Sequence, residues 1–388
     1  MTSHRQKQDH YHGFEQGPIR PPSEARSLLI RVTRNCPWNH CAFCPVYKGA
    51  RFSVRPEAHV IEDIDAIHRH VSSLSKLADG QGRIQRQDIS QQMQGLAEHE
   101  QQAFAAALNW FAGGMTSIFL QDANSLVVKP DSLIRILRHI RSRFPWVARI
   151  TSYARSHTVA RISDDNLKQM QAAGLNRIHI GLESGSDAVL KKIRKGVDKA
   201  TQVKAGRKVK KAGMELSEYV MPGLGGHVLS RDHALETADA LNRIDPHFIR
   251  LRTLAIPGGI PLAEQHRSGD FVKLNDLEMV REIRLLIESL DGITSMIASD
   301  HILNLFEEVQ GRMPAAKQEI LAVLDRFLEL DPQEQCLFQV GRRLGIFSRV
   351  ADLSSPRRKA KVEAFCAQHG IGPENVDGMI DEMMKRFI

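Results

Sequence analysis

Three of the five cysteines stand within nine residues of one another, in the stretch Cys36-Pro-Trp-Asn-His-Cys41-Ala-Phe-Cys44. Three thiolates at this spacing can hold an iron–sulfur cluster, and a cubane cluster held by three cysteines leaves one iron open to another ligand. The same loop could hold a structural zinc ion with His40 as fourth ligand. Cys41 and Cys44 could also act as a redox thiol pair. Cysteines crowded in this way indicate a metal or catalytic site rather than disulfides.

Length and composition are those of a globular protein. The chain has 388 residues, of which 42% are hydrophobic and 25% charged, enough for two or three domains or one large α/β barrel with an appendage. The net charge of +8 is spread along the chain, so nucleic-acid binding is possible but unsupported. Apolar runs fall far short of the ~20 residues that cross a bilayer, and the N-terminus lacks the apolar segment of a secretory signal. These features predict a cytoplasmic protein without membrane association and with a loose N-terminal arm over residues 1–24.

Short apolar strands alternate with helical segments, which is typical of parallel sheets. The predicted strands are residues 28–33, 117–120, 149–152, 177–181, 214–221 and 248–254. Glycines at positions 114, 174 and 213 indicate where helices stop before the next strand begins. No seventh or eighth strand is evident. The pattern therefore predicts an α/β fold built as a partial (β/α)6 barrel, an open version of the eight-fold barrel.

Two segments depart from this repeat. Residues 57–112 begin with a polar, Gln-rich stretch that we interpret as a helical insertion with a mobile loop between the first two strands. From about Lys273 onward the apolar positions recur at helical spacing. We therefore predict a core over residues 25–262 that contains the insertion, followed by an all-helical C-terminal domain over residues 263–388.

Side chains suited to chemistry follow the predicted strands one by one. The cysteines follow the first strand, Asp122 the second, Arg155 the third, Glu183 the fourth and Gly223 the fifth. Loops at the C-terminal ends of barrel strands converge on one opening. We therefore expect these residues to surround a common site.

A second motif accompanies the cysteine loop. Gly181-Leu-Glu-Ser-Gly-Ser186 is followed by Val189-Leu190 and then by Arg194-Lys195-Gly196. Together with a three-cysteine loop that carries an aromatic residue before its last cysteine, this motif resembles the radical S-adenosylmethionine superfamily. The resemblance covers about residues 25–262 and is strongest to oxygen-independent coproporphyrinogen dehydrogenases, methylthiotransferases and elongator-type proteins. One departure is the spacing, because four residues separate Cys36 from Cys41 and His40 stands where the family's second cysteine falls.

The resemblance implies an enzyme, an oxidoreductase or a transferase, with a [4Fe–4S] cluster and S-adenosylmethionine as cofactors. In this superfamily the cluster passes an electron to S-adenosylmethionine, which splits into methionine and a 5′-deoxyadenosyl radical that takes hydrogen from a substrate. A reducing protein such as flavodoxin or ferredoxin is the implied electron donor. The resemblance also implies that Cys36, Cys41 and Cys44 bind iron and that Phe43 packs beside the adenine.

Other cofactor contacts follow from the same resemblance. Asp122 lies near the superfamily's Gly-Gly-Glu element and would accept from the methionine ammonium, although a plain loop aspartate is an equal interpretation. Glu183 would meet the ammonium or the ribose hydroxyls, since a carboxylate accepts two hydrogen bonds; its alternative is an ion pair with Arg177 or Arg155.

Two further roles concern the methionine carboxylate and the nucleoside. Arg155 or Arg194 would hold that carboxylate in a bidentate pair, unless either is surface charge. Gly223 would allow close backbone approach to the nucleoside, unless it only serves a tight turn.

Two hypotheses from other functional classes stay open. One is a zinc-stabilised basic RNA-binding module, and the other is an iron–sulfur electron-transfer protein that does not cleave S-adenosylmethionine. Neither the insertion nor the C-terminal segment carries a motif that identifies a substrate.

Overall fold

The architecture was obtained as a computed structural model that describes residues 10–19 and 21–384. Residues 1–9, 20 and 385–388 lie outside this description, and with them much of the predicted N-terminal arm. The strands of the described chain are β1 (Leu28–Arg31), β2 (Thr33–Arg34), β3 (Ser53–Val54), β4 (Ser117–Gln121), β5 (Arg149–Ala154), β6 (Arg177–Glu183), β7 (Glu215–Val220), β8 (Phe248–Leu251), β9 (Met296–Ala298) and β10 (Gly311–Arg312).

Helices connect most of these strands. They are α1 (Glu57–Leu77), α2 (Arg86–Gln94), α3 (Glu98–Ala112), α4 (Pro130–Arg143), α5 (Ser156–Val159), α6 (Asp164–Ala172), α7 (Asp187–Lys192), α8 (Lys199–Lys211), α9 (Gly226–Ile244), α10 (Pro261–Ser268), α11 (Asp276–Ser289), α12 (Lys317–Leu328), α13 (Pro332–Arg343), α14 (Pro356–His369) and α15 (Val376–Met384). Short 3-10 turns cover Pro22–Glu24, Ser125–Val127 and Val350–Ser354.

The chain forms two compact units. Of the described residues, 10–37, 49–178 and 211–214 make up the first unit, and 38–48, 179–210 and 215–384 make up the second. The cysteine loop is divided between them, since Cys36 belongs to the first unit whereas Cys41 and Cys44 belong to the second.

In the first unit, β4 lies between β1 and β5 and runs parallel to both. Leu28 pairs with Ile118, and Ser117 pairs with Arg149. All five residues of β4 are buried, as expected for a central strand covered on both faces. A separate antiparallel pair joins β2 to β3, so the predicted first strand, residues 28–33, is two short strands rather than one.

In the second unit, β8 pairs in parallel with both β7 and β9, and β10 adds to β9 in the antiparallel sense. The prediction of an all-helical C-terminal segment is therefore wrong for β9 and β10, which extend the sheet beyond the six expected strands. These strands have three and two residues. They are too short for the alternation of apolar and polar residues that identifies a strand in a sequence.

The complete order of the sheet is β1-β4-β5-β6-β7-β8-β9-β10, and the sheet is mostly parallel. Strand β6 begins in the first unit with Arg177 and ends in the second with Glu183. The order starts at β1 and ends at β10, so the sheet of the described chain is open. The predicted α/β class with an unclosed barrel is confirmed, although the sheet has eight strands instead of six.

Glycines end three helices at the predicted positions. Gly114, Gly174 and Gly213 follow α3, α6 and α8, and their φ angles are +85°, +111° and +82°. Residues with a Cβ rarely adopt this left-handed region, so glycine is the natural stop between a helix and the next strand.

The predicted helical insertion consists of α1, α2 and α3. Helix α1 buries one face, on which Val60, Ile64, Ile67 and Leu74 are spaced three, four or seven residues apart and are fully buried. This face packs against α3 and α4. Helix α2, by contrast, buries none of its side chains, which agrees with its Gln-rich sequence.

Helices of the C-terminal segment pack around aromatic side chains in the second unit. The rings of Phe306 and Phe338 stack at 5.6 Å, and Phe338 also stacks on Phe347 at 6.3 Å. Helix α11 begins at a capping box, in which Asn275 Oδ1 accepts the Glu278 N–H and the Glu278 carboxylate accepts the Asn275 N–H. Among the described residues, none of the helices combines the length and the apolar character needed to span a bilayer.

Candidate functional site

The cysteine loop offers three thiols, each partly exposed to solvent. Cys36, Cys41 and Cys44 are half-buried, whereas Cys336 and Cys366 are buried in the C-terminal helices. Burial raises the pKa of the Cys336 thiol to about 11, and the neighbouring Cys366 adds to the shift. A thiol with a raised pKa is a poor metal ligand, because the thiolate is the form that binds metal. The three cysteines of the loop therefore differ from the other two in their exposure to solvent.

Backbone hydrogen bonds in the second unit fix the Cys41–Cys44 stretch from both sides. The Ala42 N–H donates to the Ile193 carbonyl at 2.8 Å, and the Leu262 N–H donates to the Ala42 carbonyl at 3.1 Å. The Lys48 ammonium donates to the Cys41 carbonyl at 2.9 Å. The Cys41 carbonyl and both peptide groups of Ala42 are thus bound to protein neighbours, which holds the backbone directly after the Cys41 thiol.

The donor set fits an iron–sulfur cluster by its chemistry. In the described part of the chain, no three His, Cys, Asp or Glu side chains converge on a point where a single metal ion would sit. A cubane does not require such convergence, because each thiolate binds a different iron atom. A zinc ion, in contrast, needs its ligands within about 2.0–2.3 Å of one centre. Cysteine thiols, the donors that the loop offers, are the usual ligands of iron–sulfur clusters.

Glu183 and Phe43 meet around Lys195 in the second unit. The Lys195 ammonium donates to Glu183 Oε1 at 3.0 Å, and its nitrogen lies 5.8 Å from the centre of the Phe43 ring. The side chains of Glu183 and Lys195 are each only 12% exposed. A Cβ at Gly181 would lie 2.2 Å from Glu183 Oε1, so this pair needs glycine at that position.

The second unit also buries a carboxyl group that the sequence did not single out. Glu218, on β7, is 1% exposed, and none of the residues in ranges 10–19 and 21–384 provides a hydrogen-bond partner for its Oε2 atom. Burial raises the pKa of Glu218 well above its usual range; the charge of Lys195 opposes this shift, and the charge of Glu183 adds to it. Burial in such surroundings favours the neutral form of a carboxyl group over the charged form.

Arg194 and Gly223, two other residues predicted to contact the cofactor, also belong to the second unit. Arg194 is exposed and has a left-handed backbone (φ +55°), and its carbonyl accepts the Trp38 indole N–H at 2.8 Å. Gly223 is buried, and its N–H donates to Glu282 Oε1 at 2.6 Å. A Cβ at Gly223 would lie 2.4 Å from the Met279 methyl group. The φ angle of Gly223 is +85°, a left-handed conformation that accounts for the glycine, and its contact with a nucleoside stays a prediction.

Asp122 belongs to the first unit and is completely buried. Its Oδ2 atom accepts from Arg31 Nη2 at 2.7 Å, from Arg31 Nε at 2.9 Å and from the Asn35 N–H at 2.9 Å. Within the part of the chain that the structure describes, its Oδ1 atom has no hydrogen-bond partner. The carboxylate therefore connects the end of β4 to the residues directly before Cys36, and Arg31 is the cation that compensates its charge.

Arg155, the remaining predicted contact, precedes α5 in the first unit and is half-buried. Its backbone N–H donates to Asn124 Oδ1 at 3.2 Å, and the Asn124 amide donates to Thr158 at 2.8 Å. These bonds fix the backbone at the C-terminal end of β5. The role of the guanidinium stays a prediction.

Sequence reasoning missed the partners of both predicted carboxylates. For Glu183, the alternative to a cofactor contact was an ion pair with Arg177 or Arg155, whereas the structure pairs it with Lys195. Lys195 stands in the Arg-Lys-Gly stretch of the second motif, so a signal for it was present in the sequence. Arg31 ends a buried strand, where an arginine needs a partner, and this was the corresponding signal for Asp122.

Comparisons with known proteins bear on the core of the chain. Residues 101–240 match the family model described as the Radical SAM superfamily. A curated relative, tRNA uridine(34) acetyltransferase from Methanocaldococcus infernus, is 24% identical over 122 residues, which are 31% of this chain and 23% of that protein. Residues 101–240, which the family model matches, include β4, Glu183 and Lys195 but not the cysteine loop.

Two solved structures show a loose likeness, with TM-scores below 0.5. An archaeal Elp3 from Methanocaldococcus infernus gives 0.39 at 16% identity and covers 48% of either chain. Coproporphyrinogen III oxidase from Escherichia coli, a radical SAM enzyme, gives 0.44 at 15% identity over 68% of this chain and 52% of that one. This chain thus spans about a quarter of the curated relative and about half of each solved one.

The family match agrees with the resemblance predicted from the two motifs. Enzymes of this superfamily use a [4Fe–4S] cluster and S-adenosylmethionine, which are the two cofactors predicted from the sequence, and they need a reductant. Over residues 101–240, therefore, the chain is similar to the Radical SAM superfamily, whose members are enzymes.

Proposed function

We propose that this enzyme holds a [4Fe–4S] cluster on Cys36, Cys41 and Cys44 and uses it to cleave S-adenosylmethionine reductively. When bound, such a cluster supplies the electron that splits S-adenosylmethionine into methionine and a 5′-deoxyadenosyl radical, which takes hydrogen from a substrate. The observation that carries the proposal is the set of three partly exposed loop thiols, with the backbone of Cys41 and Ala42 held by hydrogen bonds. A low-potential flavodoxin or ferredoxin is the proposed source of the electron.

Within the second unit, the proposed contacts to S-adenosylmethionine centre on Glu183. Lys195 holds one carboxylate oxygen at 3.0 Å and leaves the other to accept from the ammonium or from the ribose hydroxyls. Phe43 offers a ring for the adenine, and its place directly before Cys44 ties that contact to the cysteine loop.

Within the first unit, the proposed contacts are Asp122 and Arg155. Asp122 is proposed to accept from the methionine ammonium, and Arg31 and the Asn35 N–H hold its carboxylate through Oδ2. Arg155 is proposed to pair with the methionine carboxylate, and its position directly before α5 supports this role. Arg194 is the alternative cation and is more exposed.

Single substitutions of the loop cysteines test the ligand set. We expect Cys36→Ala, Cys41→Ala and Cys44→Ala each to lose the brown colour and most of the iron after anaerobic reconstitution. The matched control is Cys366→Ala, which removes a buried thiol and should keep the iron content of the unmodified protein. Full iron content in Cys41→Ala would contradict the proposed ligand set.

Metal analysis and ligand binding separate the proposal from its two rivals. About one zinc per chain without iron would support the RNA-binding module. A reconstituted cluster whose absorption and EPR spectra do not respond to S-adenosylmethionine would support the electron-transfer protein. We expect iron, and a change of the EPR spectrum when S-adenosylmethionine is added.

A further inference from the structure

Three arginines of the first unit converge on the carboxylate of Glu15. Arg34 Nε lies 2.9 Å from Glu15 Oε1, Arg31 Nη1 lies 3.3 Å from it and Arg55 Nε lies 3.7 Å from it. We name Arg31, Arg34 and Arg55 the arginine cluster. One carboxylate is thus surrounded by three guanidinium groups, an arrangement suited to binding an anion.

Of the three positive charges of the arginine cluster, one is left for Glu15 to compensate. Arg31 pairs with Asp122, and Arg55 pairs with Asp63. Two of the three positive charges are therefore compensated inside the fold, and Glu15 compensates the third. Burial alone would raise the pKa of Glu15, but its hydrogen bond with Arg34 and the charges of the cluster lower that pKa below its ordinary value.

One donor of the cluster stays unused. The Arg55 side chain is 1% exposed, and its Nε atom has no hydrogen-bond partner among the described residues, although Glu15 Oε1 lies 3.7 Å from it. A buried donor without an acceptor is destabilising, because it has lost its hydrogen bonds to water. The Glu15 carboxylate therefore fills the cluster incompletely, and a carboxylate placed slightly deeper would gain that hydrogen bond.

Glu15 reaches the cluster from a segment without regular secondary structure. Residues 10–19 precede β1, and the Gln121 side chain clamps this segment at Gly17, accepting the Gly17 N–H at 2.8 Å and donating to the Gly17 carbonyl at 3.2 Å. The cluster itself stands on the sheet, since Arg31 ends β1, Arg34 ends β2 and Arg55 follows β3. A fixed cationic site is thus filled by a side chain from an irregular segment.

The position of the cluster connects it to the chemistry. Arg31 is at the C-terminal end of a parallel strand, the edge at which α/β folds place their ligands, and Arg34 stands two residues before Cys36. We propose that the arginine cluster binds a carboxylate group of the substrate and that Glu15 is its intramolecular competitor. That the carboxylate belongs to the substrate rests on the proposed function, whereas binding to the cluster does not.

The test uses the full-length chain without reductant and glutarate as the probe, because its end group matches a glutamate side chain. We expect Glu15→Gln to bind glutarate at least tenfold more tightly than the unmodified chain in isothermal titration. Sodium chloride of equal ionic strength should give no signal. The double variant Glu15→Gln with Arg34→Gln should lose the gain, because it removes the guanidinium with the shortest contact.

Several outcomes would overturn the inference. Equal glutarate affinity in Glu15→Gln and the unmodified chain would show that Glu15 does not compete for the site. Tighter binding of inorganic phosphate than of glutarate would exclude a carboxylate site. Should Glu15→Gln fail to fold, Glu15→Asp serves instead, since it keeps the charge but withdraws the carboxylate by one methylene; unchanged glutarate affinity in that variant would equally contradict the proposal.

Glutarate binding measured in the presence of S-adenosylmethionine separates this inference from the proposed function. We expect saturating S-adenosylmethionine to leave glutarate binding by Glu15→Gln unchanged within twofold. Displacement of glutarate would assign the cluster to the methionine carboxylate and would overturn the substrate assignment. A failure to form 5′-deoxyadenosine would contradict the proposed function but would leave the glutarate result standing.

Discussion

The Lys195 ammonium donates a hydrogen bond of 3.0 Å to Glu183 Oε1, and both side chains are 12% exposed. An ion pair of this kind is only partly screened by water, so each partner depends on the other for orientation. Gly181 leaves the space that the pair occupies, and the nearby Phe43 ring connects it to the cysteine loop. The pair thus joins the two sequence motifs within one unit of the molecule.

Replacing Lys195 with methionine should weaken the binding of S-adenosylmethionine about tenfold, which corresponds to about 1.4 kcal/mol. The substitution removes the hydrogen bond that orients Glu183 and leaves the carboxylate without its cation. Titration calorimetry on the anaerobically reconstituted protein measures the effect. The control is Lys192→Met, because Lys192 donates to the Asp270 carbonyl instead; equal losses in both variants would contradict the role of Lys195.

Gly17→Ala should destabilise the first unit by about 1–3 kcal/mol, the usual cost of overpacking. A Cβ at this position would lie 1.9 Å from Asp122 Oδ1, which is far inside van der Waals contact. Thermal unfolding of the variant measures the loss. Gly80→Ala is the matched control, since nothing lies within 4 Å of a Cβ there, and an equal melting temperature for Gly17→Ala and the unmodified chain would refute the close approach.

Gly341→Ala should lower the free energy of unfolding by about 1–3 kcal/mol. A Cβ at Gly341 would lie 2.2 Å from the Phe347 ring, which stacks on Phe338 in the aromatic core of the second unit. Gly378→Ala, in helix α15, has open space and should be neutral or stabilising by up to about 1 kcal/mol. Urea unfolding of the two variants gives the comparison, and a neutral result at Gly341 would argue against this packing.

His301 should make the protein less stable in mild acid. Burial lowers the pKa of His301 from 6.5 to about 4; the charge of Arg252 adds to the shift and Asp300 opposes it. Because the unfolded chain binds the proton more readily, the stabilising contribution is complete above about pH 6.5 and is lost as the pH falls toward 4.

His301→Asn removes the titrating group, so its free energy of unfolding should change less between pH 7 and pH 5 than that of the unmodified chain. The expected difference is on the order of 1 kcal/mol. Urea unfolding at the two pH values measures it. Identical pH dependence in both proteins would mean that His301 does not contribute.

Six parallel strands and the helical insertion could be predicted because their residues carry strong local signals. Buried runs such as Ser117–Gln121 and helix stops such as Gly174 act within a few residues. Strands β9 and β10 could not be predicted, since two or three residues show no periodicity and these strands depend on pairing with an existing sheet edge.

In the candidate site, contacts between residues far apart in the sequence could not be predicted. The cysteines and Glu183 were identifiable by motif, but Arg31 meets Asp122 across 91 positions and Glu15 meets Arg34 across 19. Residues 10–19 have little periodicity and were predicted to be part of a loose arm, whereas Gln121 and the arginine cluster bind them in the structure. Such contacts are set by the fold and leave no local pattern.

Formation of 5′-deoxyadenosine tests the central claim most directly. The full-length chain is purified without air, reconstituted with iron and sulfide, and incubated with S-adenosylmethionine and dithionite. The account predicts 5′-deoxyadenosine and methionine in equal amounts from the unmodified chain and from Cys366→Ala, and none from Cys41→Ala. Reconstituted protein that contains iron yet forms no 5′-deoxyadenosine, or equal formation by Cys41→Ala, would contradict it.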